Sequence, residues 1–288
     1  MIHRRKDVVA TSKRSTIPGP QGLPAGKALP RYGIISLQRG LGILSLLAQS
    51  ENSLSASEIA RAAKLHGSTV HRFLVNLEDS GYVARDDRGN YHLGTHCISL
   101  GRAAMNRLDV RRASIPALEE LNRVTRETVH LAIRHALTAV YVEKFESPEP
   151  LRIFSRIGAN VPLHCTAMGK VFLAFMPAGE QAEILARLPF TRYTPSTICS
   201  VTAMRAELKS VAQQGYAIDN EEHEAHIKCI AAPVWDEPGR VVAAFSITGP
   251  AARMQRTRLR EFALLARQTS AAISKALGYP GAVAAAKP

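Results

Sequence analysis

The chain has 288 residues, 46% of them apolar, which is enough material for two packed domains and excludes global disorder. No apolar run approaches the eighteen or so residues of a membrane span; the longest are short pieces such as Val171–Met176 and Val241–Phe245. Lys and Arg number 37 against 24 Asp and Glu, a net charge of +13. Residues 1–31 hold seven of those cations against Asp7 alone, and residues 96–112 hold four Arg against Asp109, so the excess gathers toward one end of the chain. A polyanionic partner is expected there, nucleic acid or an anionic membrane surface by charge alone. Cys97, Cys165, Cys199 and Cys229 are scattered with no CxxC pair, which excludes a disulfide framework and fits a reducing, cytoplasmic setting.

Pro18, Pro20, Pro24 and Pro30, with Gly19, Gly22 and Gly26 between them, predict a disordered basic arm over 1–31. The arm lacks the apolar stretch of a secretory signal, and its Pro/Gly spacing breaks the amphipathic helix of a mitochondrial transit peptide. From Ser36, Leu37, Leu41, Leu44 and Ala48 recur at helical spacing. Ser55 or Ser57 caps a second helix with Glu58 in its first turn and Ile59, Ala62 and Ala63 as its apolar face. Leu65-His66-Gly67 breaks it. Ser68 opens a third helix with Val70, Leu74 and Leu77 on one side, and Gly81 ends it. Tyr82–Arg85 and Asn90–Leu93 are strand-like around the turn Asp86-Asp87-Arg88-Gly89. Three helices followed by a β-hairpin is the order of a winged helix-turn-helix, expected over 32–95.

A basic connecting helix is expected over 96–113, with Leu100, Ala104 and Leu108 in line, and another over Ile115–Thr125 with Pro116 in its first turn and Leu118, Leu121 and Val124 apolar. The period then changes. Thr128–Arg134, Ala139–Phe145 and Leu151–Arg156 are strand-like, and helices are predicted at Ala167–Phe175, Ala178–Arg187, Ala203–Gln214 and Leu259–Leu277. Ile230–Val234 and Val241–Thr248 flank Asp236-Glu237-Pro238-Gly239 as a hairpin. Strands and helices without strict alternation predict an α+β domain on a largely antiparallel sheet over 114–279, with a disordered tail over 280–288.

A helix-turn-helix places the start of its second helix in the major groove. Ser68, Thr69, His71 and Arg72 occupy that start here, with side chains able to reach base edges or phosphates. Arg39 and Arg88 complete the candidate DNA-binding set.

The sequence closely resembles the IclR family of bacterial transcription regulators from about Ser36 to Tyr279. The resemblance is carried by Ser-Leu-Gln-Arg-Gly-Leu-Gly-Ile-Leu (36–44), Glu-Ile-Ala-Arg-Ala (58–62), Ser-Thr-Val-His-Arg-Phe-Leu (68–74), Leu-Glu-Asp-Ser-Gly-Tyr-Val (77–83) and Tyr-His-Leu-Gly (91–94). In the second half it is carried by Pro-Leu-His-Cys-Thr-Ala-Met-Gly-Lys (162–170), Gly-Tyr-Ala-Ile-Asp-Asn-Glu-Glu-His (215–223), Cys-Ile-Ala-Ala-Pro-Val (229–234) and Ser-Ile-Thr-Gly-Pro (246–250). Ordered motifs across two domains are far more specific than any one of them. The resemblance implies a winged helix-turn-helix joined by a linker helix to a C-terminal GAF-like effector domain. It also implies a repressor of a double-stranded operator, bound as a homodimer held through the DNA-binding half, in some members a dimer of dimers, with no cofactor.

It further implies that Asp219, Cys229, Ser246 and Thr248 are the polar contacts of a small organic acid, with Ile153, Val161 and Ile227 as the apolar wall. Main-chain N–H groups around Met168 and Gly169 are implied to hold the acid. Independently, the helix start at Ala167, Met168 and Gly169 presents N–H groups without internal partners at the positive end of the helix dipole, where a carboxylate fits. Asp219 then suits effector hydroxyls, since like charges repel. Arg152-Ile-Phe-Ser-Arg-Ile-Gly, Asn220-Glu-Glu and the Gly278-Tyr279 ending are most similar to family members responding to 2-keto-3-deoxygluconate and related sugar acids. Glyoxylate or pyruvate and aromatic acids are the alternatives.

Two positions depart from the family pattern. His66-Gly67 stands where a proline and a polar or basic residue are usual, and His226 stands where glycine is usual, three residues before Cys229. Histidine adopts positive φ less cheaply than glycine, so a changed backbone or pocket wall is expected there. Other chemistries find little support. His164, Cys165, His223, His226 and Cys229 lack zinc-site spacing, so no metal is expected. Gly169-Lys170 is followed by Val171 where a P-loop needs Ser or Thr. A hydrolase using Cys165 or Ser246 lacks the Gly-x-Ser-x-Gly elbow, and adjacent His164 and Cys165 point to opposite faces of a strand. A passive architectural DNA binder leaves the second domain without a purpose. No catalytic residues are therefore assigned.

Overall fold

The computed structural model describes residues 34–106, 109–151 and 153–281, so the arm expected over 1–31 and residues 282–288 of the expected tail lie outside the described residues. The chain divides into two compact units after Ala103.

The first unit contains α1 (Ile35–Gln49), α2 (Ala56–Ala63), α3 (Gly67–Asp79) and the antiparallel hairpin β1 (Val83–Arg85) and β2 (Tyr91–Leu93); α4 (Thr95–Asn106) carries the boundary between the units. A capping box starts α2: the Ser55 hydroxyl accepts from the Glu58 N–H while the Glu58 carboxylate accepts from the Ser55 N–H at 2.8 Å. Lys64 ends α2 in the left-handed conformation at φ 54°. The turn that departs from the family pattern has its own cap. The His66 ring nitrogen accepts from the Ser68 N–H and lies 2.8 Å from the Ser68 hydroxyl, so α3 begins at Gly67, one residue earlier than expected.

Ile43, Ile59, Val70 and Leu74 are fully buried together with Val83 and Tyr91, each large aliphatic contributing about 1.5–3 kcal/mol of burial. The predicted apolar stripe of α1 is corrected here. Gly40, Ile43, Leu46 and Leu47 face the core, whereas Leu37 and Leu41 are 57% and 54% exposed. Helix α1 is apolar around most of its circumference, and periodicity cannot choose between two competing stripes.

Beyond α4 the second unit contains α5 (Asp109–Thr125), followed by β3 (Thr128–His135), β4 (Thr138–Phe145), β5 (Asn160–Pro162), α6 (Ala167–Phe175), α7 (Ala178–Arg187), α8 (Val201–Gln214), β6 (Ala217–Asn220), β7 (Ile227–Trp235), β8 (Val241–Pro250) and α9 (Arg256–Ala276). The strands form one sheet in the order β5-β4-β3-β8-β7-β6, antiparallel at every pairing. Alternating side chains give the sheet two apolar faces. Val129, Leu131, Ile230, Phe245 and Ile247 pack against α5 and α9 through Leu118, Leu121, Phe262 and Ala266. On the other face, Ala132, Ala139, Ala231 and Ala244 pack against α6, α7 and α8 through Val171, Phe172, Leu185 and Met204.

Several expected elements are corrected. The connecting helix expected over 96–113 is shared between α4 and α5, with residues 107 and 108 outside the described set. Helix α5 starts at Asp109 rather than Ile115, so Pro116 lies inside it, and Val124 is 47% exposed. An interior proline removes one helical hydrogen bond; burial of Leu118 and Leu121 beyond it keeps the helix continuous. The strand expected at Leu151–Arg156 is not seen among its described residues, 151 and 153–156. The edge of β4 is taken by β5 at Thr138–Val140, and Phe154 is 82% exposed. Strand β6, unpredicted, follows directly on Gly215, whose φ of 80° turns the chain out of α8.

Helix α6 lies against the chain that leads into it. A Cβ added to Gly169 would stand 2.3 Å from the Leu163 carbonyl oxygen and 2.4 Å from the Leu163 Cα, both backbone atoms. Gly169→Ala is therefore expected to destabilise the second unit by about 3 kcal/mol or more in denaturant unfolding. Gly179→Ala, on α7 with open space around it, is expected to stabilise by up to about 1 kcal/mol. Equal behaviour of the two variants would contradict this packing.

Candidate functional site

On α3 the buried Val70 and Leu74 turn Ser68, His71 and Arg72 outward, and all three are exposed; Thr69 lies to the side and is half-buried. Arg39 on α1 and Arg88 at the hairpin tip are exposed as well. Asp86 shapes that tip by accepting from the N–H groups of Arg88 and Asn90, both at 2.9 Å, which hold its carboxyl below the usual range. The neighbouring Arg85 is paired with Glu78 at 3.1 Å.

In the second unit the predicted polar residues fall on one face of the sheet. Asp219, Cys229 and Thr248 stand directly opposite one another across β6, β7 and β8, and Ser246 follows two residues before Thr248 on the same face, 3.2 Å away hydroxyl to hydroxyl. Ile227 shares that face at the start of β7, Val161 is buried on β5, and Ile153 is half-buried in the irregular 153–156 segment. Burial pushes the Asp219 carboxyl up to about 7, against the Glu222 N–H that donates to it at 2.8 Å. The Cys229 thiol is likewise pushed up by burial and stays protonated.

The start of α6 supplies donors, with one correction. Thr166 caps the helix by accepting from the Gly169 N–H at 3.1 Å, and the side of Gly169 open to a Cβ is filled by Leu163. Gly169 therefore neither offers its N–H nor lets a ligand approach, and the first-turn donors that α6 cannot satisfy internally belong to Ala167 and Met168. The second correction concerns His226. Its φ is 66°, the left-handed backbone that glycine adopts cheaply, but its side chain is 94% exposed and does not enter the polar face. Its N–H donates to Glu221 at 3.0 Å.

Sequence reasoning missed three parts of this site. Lys170, set aside with the failed P-loop, is fully buried: its ammonium donates to Glu222 at 2.7 Å, to Glu207 at 2.8 Å and to the Ile218 carbonyl. Burial opposes that charge, but the two carboxylates outweigh it and raise the lysine above its usual range. The other oxygen of Glu222 is buried and unpartnered among the described residues. His130 faces Ser246 across β3 and β8. Its ring contacts the Ser155 hydroxyl at 2.7 Å and the Thr248 hydroxyl at 3.5 Å and stacks on Tyr141 with centroids 4.5 Å apart. Burial and the nearby Lys144 push His130 down to about 3, so it is neutral. The available signal was the alternation in Thr128-Val-His-Leu, which sets polar side chains on one face and apolar on the other.

Elements of a hydrolase are not assembled. The Cys165 thiol is buried and pushed far up, and the His164 ring bonds the Thr191 carbonyl. Among the described residues no three His, Cys, Asp or Glu side chains converge for a metal, and no helix is long and apolar enough to cross a membrane.

A helix-turn-helix with a hairpin wing, on the same chain as a sheet domain with a buried polar row, defines a DNA-binding transcription regulator with an effector-binding domain. The IclR helix-turn-helix domain matches residues 36–87 and the IclR C-terminal domain of bacterial transcriptional regulators matches residues 102–275; the chain belongs to the IclR family. It is 36% identical to the transcriptional regulator XynR of Escherichia coli over 248 residues, covering 86% of this chain and 98% of that one. It is 36% identical to E. coli KdgR over 85% of this chain and 94% of that one, and 35% identical to the repressor AllR of Klebsiella pneumoniae over 92% and 96%. Among solved structures it matches the Thermotoga maritima IclR with a TM-score of 0.69 at 32% identity, over 85% of this chain and 99% of that one. An IclR homolog of Microbacterium hydrocarbonoxydans complexed with 4-hydroxybenzoate matches with a TM-score of 0.73 at 26% identity, over 84% and 98%. These relatives are regulators, not enzymes.

The Asp219 carboxyl yields a pH test. Unfolded, it ionises near the ordinary aspartate value of 3.8; folded, at about 7. Between those values the folded chain holds a proton that the unfolded chain has lost, so stability falls as pH rises through this window, by at most about 1.4 kcal/mol per pH unit from this group. Asp219→Asn removes the contribution. Its unfolding free energy between pH 4 and 7 should decline less steeply than that of the wild type, and parallel profiles would contradict the assignment.

Proposed function

We propose that this regulator acts in the cytoplasm as a homodimer on a partly palindromic operator, and that a small sugar acid bound to the sheet face of the second unit shifts its affinity or assembly. Duplex reading falls to α3, with Ser68, His71 and Arg72 at the major groove and Thr69, Arg39 and Arg88 at its margins. Exposed Leu37 and Leu41 on α1, with Ile34 just before it, are the apolar surface that a second protomer would cover.

The observation that carries the effector reading is the row Asp219–Cys229–Thr248 with Ser246 beside it, polar groups buried on an otherwise apolar face. The acid's carboxylate binds the Ala167 and Met168 N–H groups at the start of α6, favoured by the helix dipole. Asp219 sits apart from that carboxylate and accepts from effector hydroxyls, aided by the unpartnered oxygen of Glu222. An acceptor suited to hydroxyls favours a sugar acid over glyoxylate or pyruvate, in keeping with the family resemblance noted at Asn220-Glu-Glu and Gly278-Tyr279. The second reading, an aromatic acid, draws on the neighbour complexed with 4-hydroxybenzoate and on the stacked His130–Tyr141 pair.

Calorimetry separates these readings. A sugar acid should bind the wild type at least tenfold more tightly than its uncharged lactone or amide, a difference of about 1.4 kcal/mol. Asp219→Ala should weaken the acid by about 1–3 kcal/mol through loss of the hydroxyl acceptor. Equal affinity for charged and neutral forms would remove the carboxylate from the account. Unchanged binding by Asp219→Ala would remove the hydroxyl role, and tighter binding of 4-hydroxybenzoate would favour the aromatic reading.

A further inference from the structure

We propose that Val75 is a specificity-determining residue of the DNA-binding unit, reading the 5-methyl group of a thymine in the major groove. The inference rests on the reading of α3 as the major-groove helix.

Helical geometry places Val75 on the outward side of α3, between the directions of His71 and Arg72. At 3.6 residues per turn it lies within about 20° of Ser68 and about 60° of Arg72 around the axis, about 140° from the buried Val70 and about 100° from the buried Leu74. Its side chain is 36% exposed, while the rest of that stripe (Ser68, Arg72 and Asp79) is polar or charged. A β-branched residue is an unfavourable choice for a helical position open to solvent, because it loses rotamer freedom and the exposed part of its side chain gains no burial. Covered by a partner, the same branched surface gains what solvent exposure denies it.

The major groove offers one apolar group to such a side chain, the thymine methyl; every other base-edge feature there is a hydrogen-bond donor or acceptor. Val75 lies seven residues beyond Ser68, about 10 Å along the helix, or about three base-pair steps. It therefore meets a different base pair from those at the helix start. Its neighbour Asn76 does not compete for this position, because its side-chain amide donates to the Arg72 carbonyl at 2.7 Å. One turn further, Asp79 would be repelled by the phosphate backbone, which tilts that end of α3 away and leaves Val75 as the last residue at the base edges.

The test uses full-length protein and operators recovered by repeated selection from random duplex DNA. Each thymine of the best operator is replaced in turn by deoxyuridine, which removes only the methyl group. Wild type should lose three- to tenfold in affinity at one thymine in each half-site. Val75→Ala should bind the thymine and uracil operators equally at that position, while Val75→Thr, which keeps a methyl, should retain the preference. Both variants should keep the wild-type melting temperature, since the site is on the surface. The proposal is overturned if no thymine is methyl-sensitive, or if Val75→Ala shows the wild-type uracil penalty. Recovery of no enriched sequence would overturn the major-groove reading of α3 itself, a separate failure.

Discussion

The ammonium of Lys170 is fully buried yet makes three polar contacts, to Glu207 on α8, to Glu222 beyond β6 and to the Ile218 carbonyl within β6. A buried cation is tolerated only when its partners are close and its donors are used, and removing one partner from such a group costs about 3–5 kcal/mol. Lys170 sits one turn into α6. It therefore ties the start of α6, where an anion is favoured, to the strand that carries Asp219. The two poles of the proposed effector site are held in register by this one side chain. Burial is what raises the Asp219 carboxyl; the Glu222 N–H counters it, the charge of Glu222 adds to it, and Lys170 offsets part of it.

The remainder of the polar face extends that logic across the sheet. Ser246, Thr248, His130 and Ser155 form a continuous chain of hydroxyl and imidazole contacts. A neutral His130 can present either ring nitrogen as donor, and the hydroxyls can follow, so the row can match donors or acceptors on a bound molecule without moving charge. Small residues at Ala132, Ala231 and Ala244 keep the same face shallow beneath α6. Specific polar groups on a surface otherwise built of alanine and valine are what a small polar acid needs: orientation from few contacts and exclusion of water from the rest.

Most of the fold was legible where local chemistry is decisive. Ser55 followed by Glu58 marked the start of α2, Asp86 and Gly89 marked the hairpin turn, and α6 and α7 were bounded correctly by hydrophobic period. Reading failed where two answers satisfy the same pattern. Helix α1 has two apolar stripes, and only tertiary packing selects Ile43 and Leu47 over Leu37 and Leu41. Residues 151–156 have strand composition, but the strand that joins the β4 edge is β5, at Thr138–Val140. At the site, Asp219, Cys229 and Thr248 were grouped through family motifs, but the register that aligns them runs through β6, which local pattern did not reveal. Lys170 and His130 escaped notice because burial of a charged or titratable side chain depends on distant partners, Glu222 lying 52 residues away in sequence. Gly169 was read as a free main-chain donor, when Thr166 caps its N–H and its missing side chain makes room for the Leu163 backbone.

Coupling between acid and operator must be reciprocal: if the acid changes operator affinity by some factor, the operator changes acid affinity by the same factor. The most direct test is therefore a pair of titrations on the full chain, operator affinity with and without saturating sugar acid, and acid affinity with and without saturating operator. Two equal factors, between about 5 and 150 as is usual for allosteric coupling, are the predicted result. Operator affinity that is indifferent to the acid, while the acid demonstrably binds, would contradict the account.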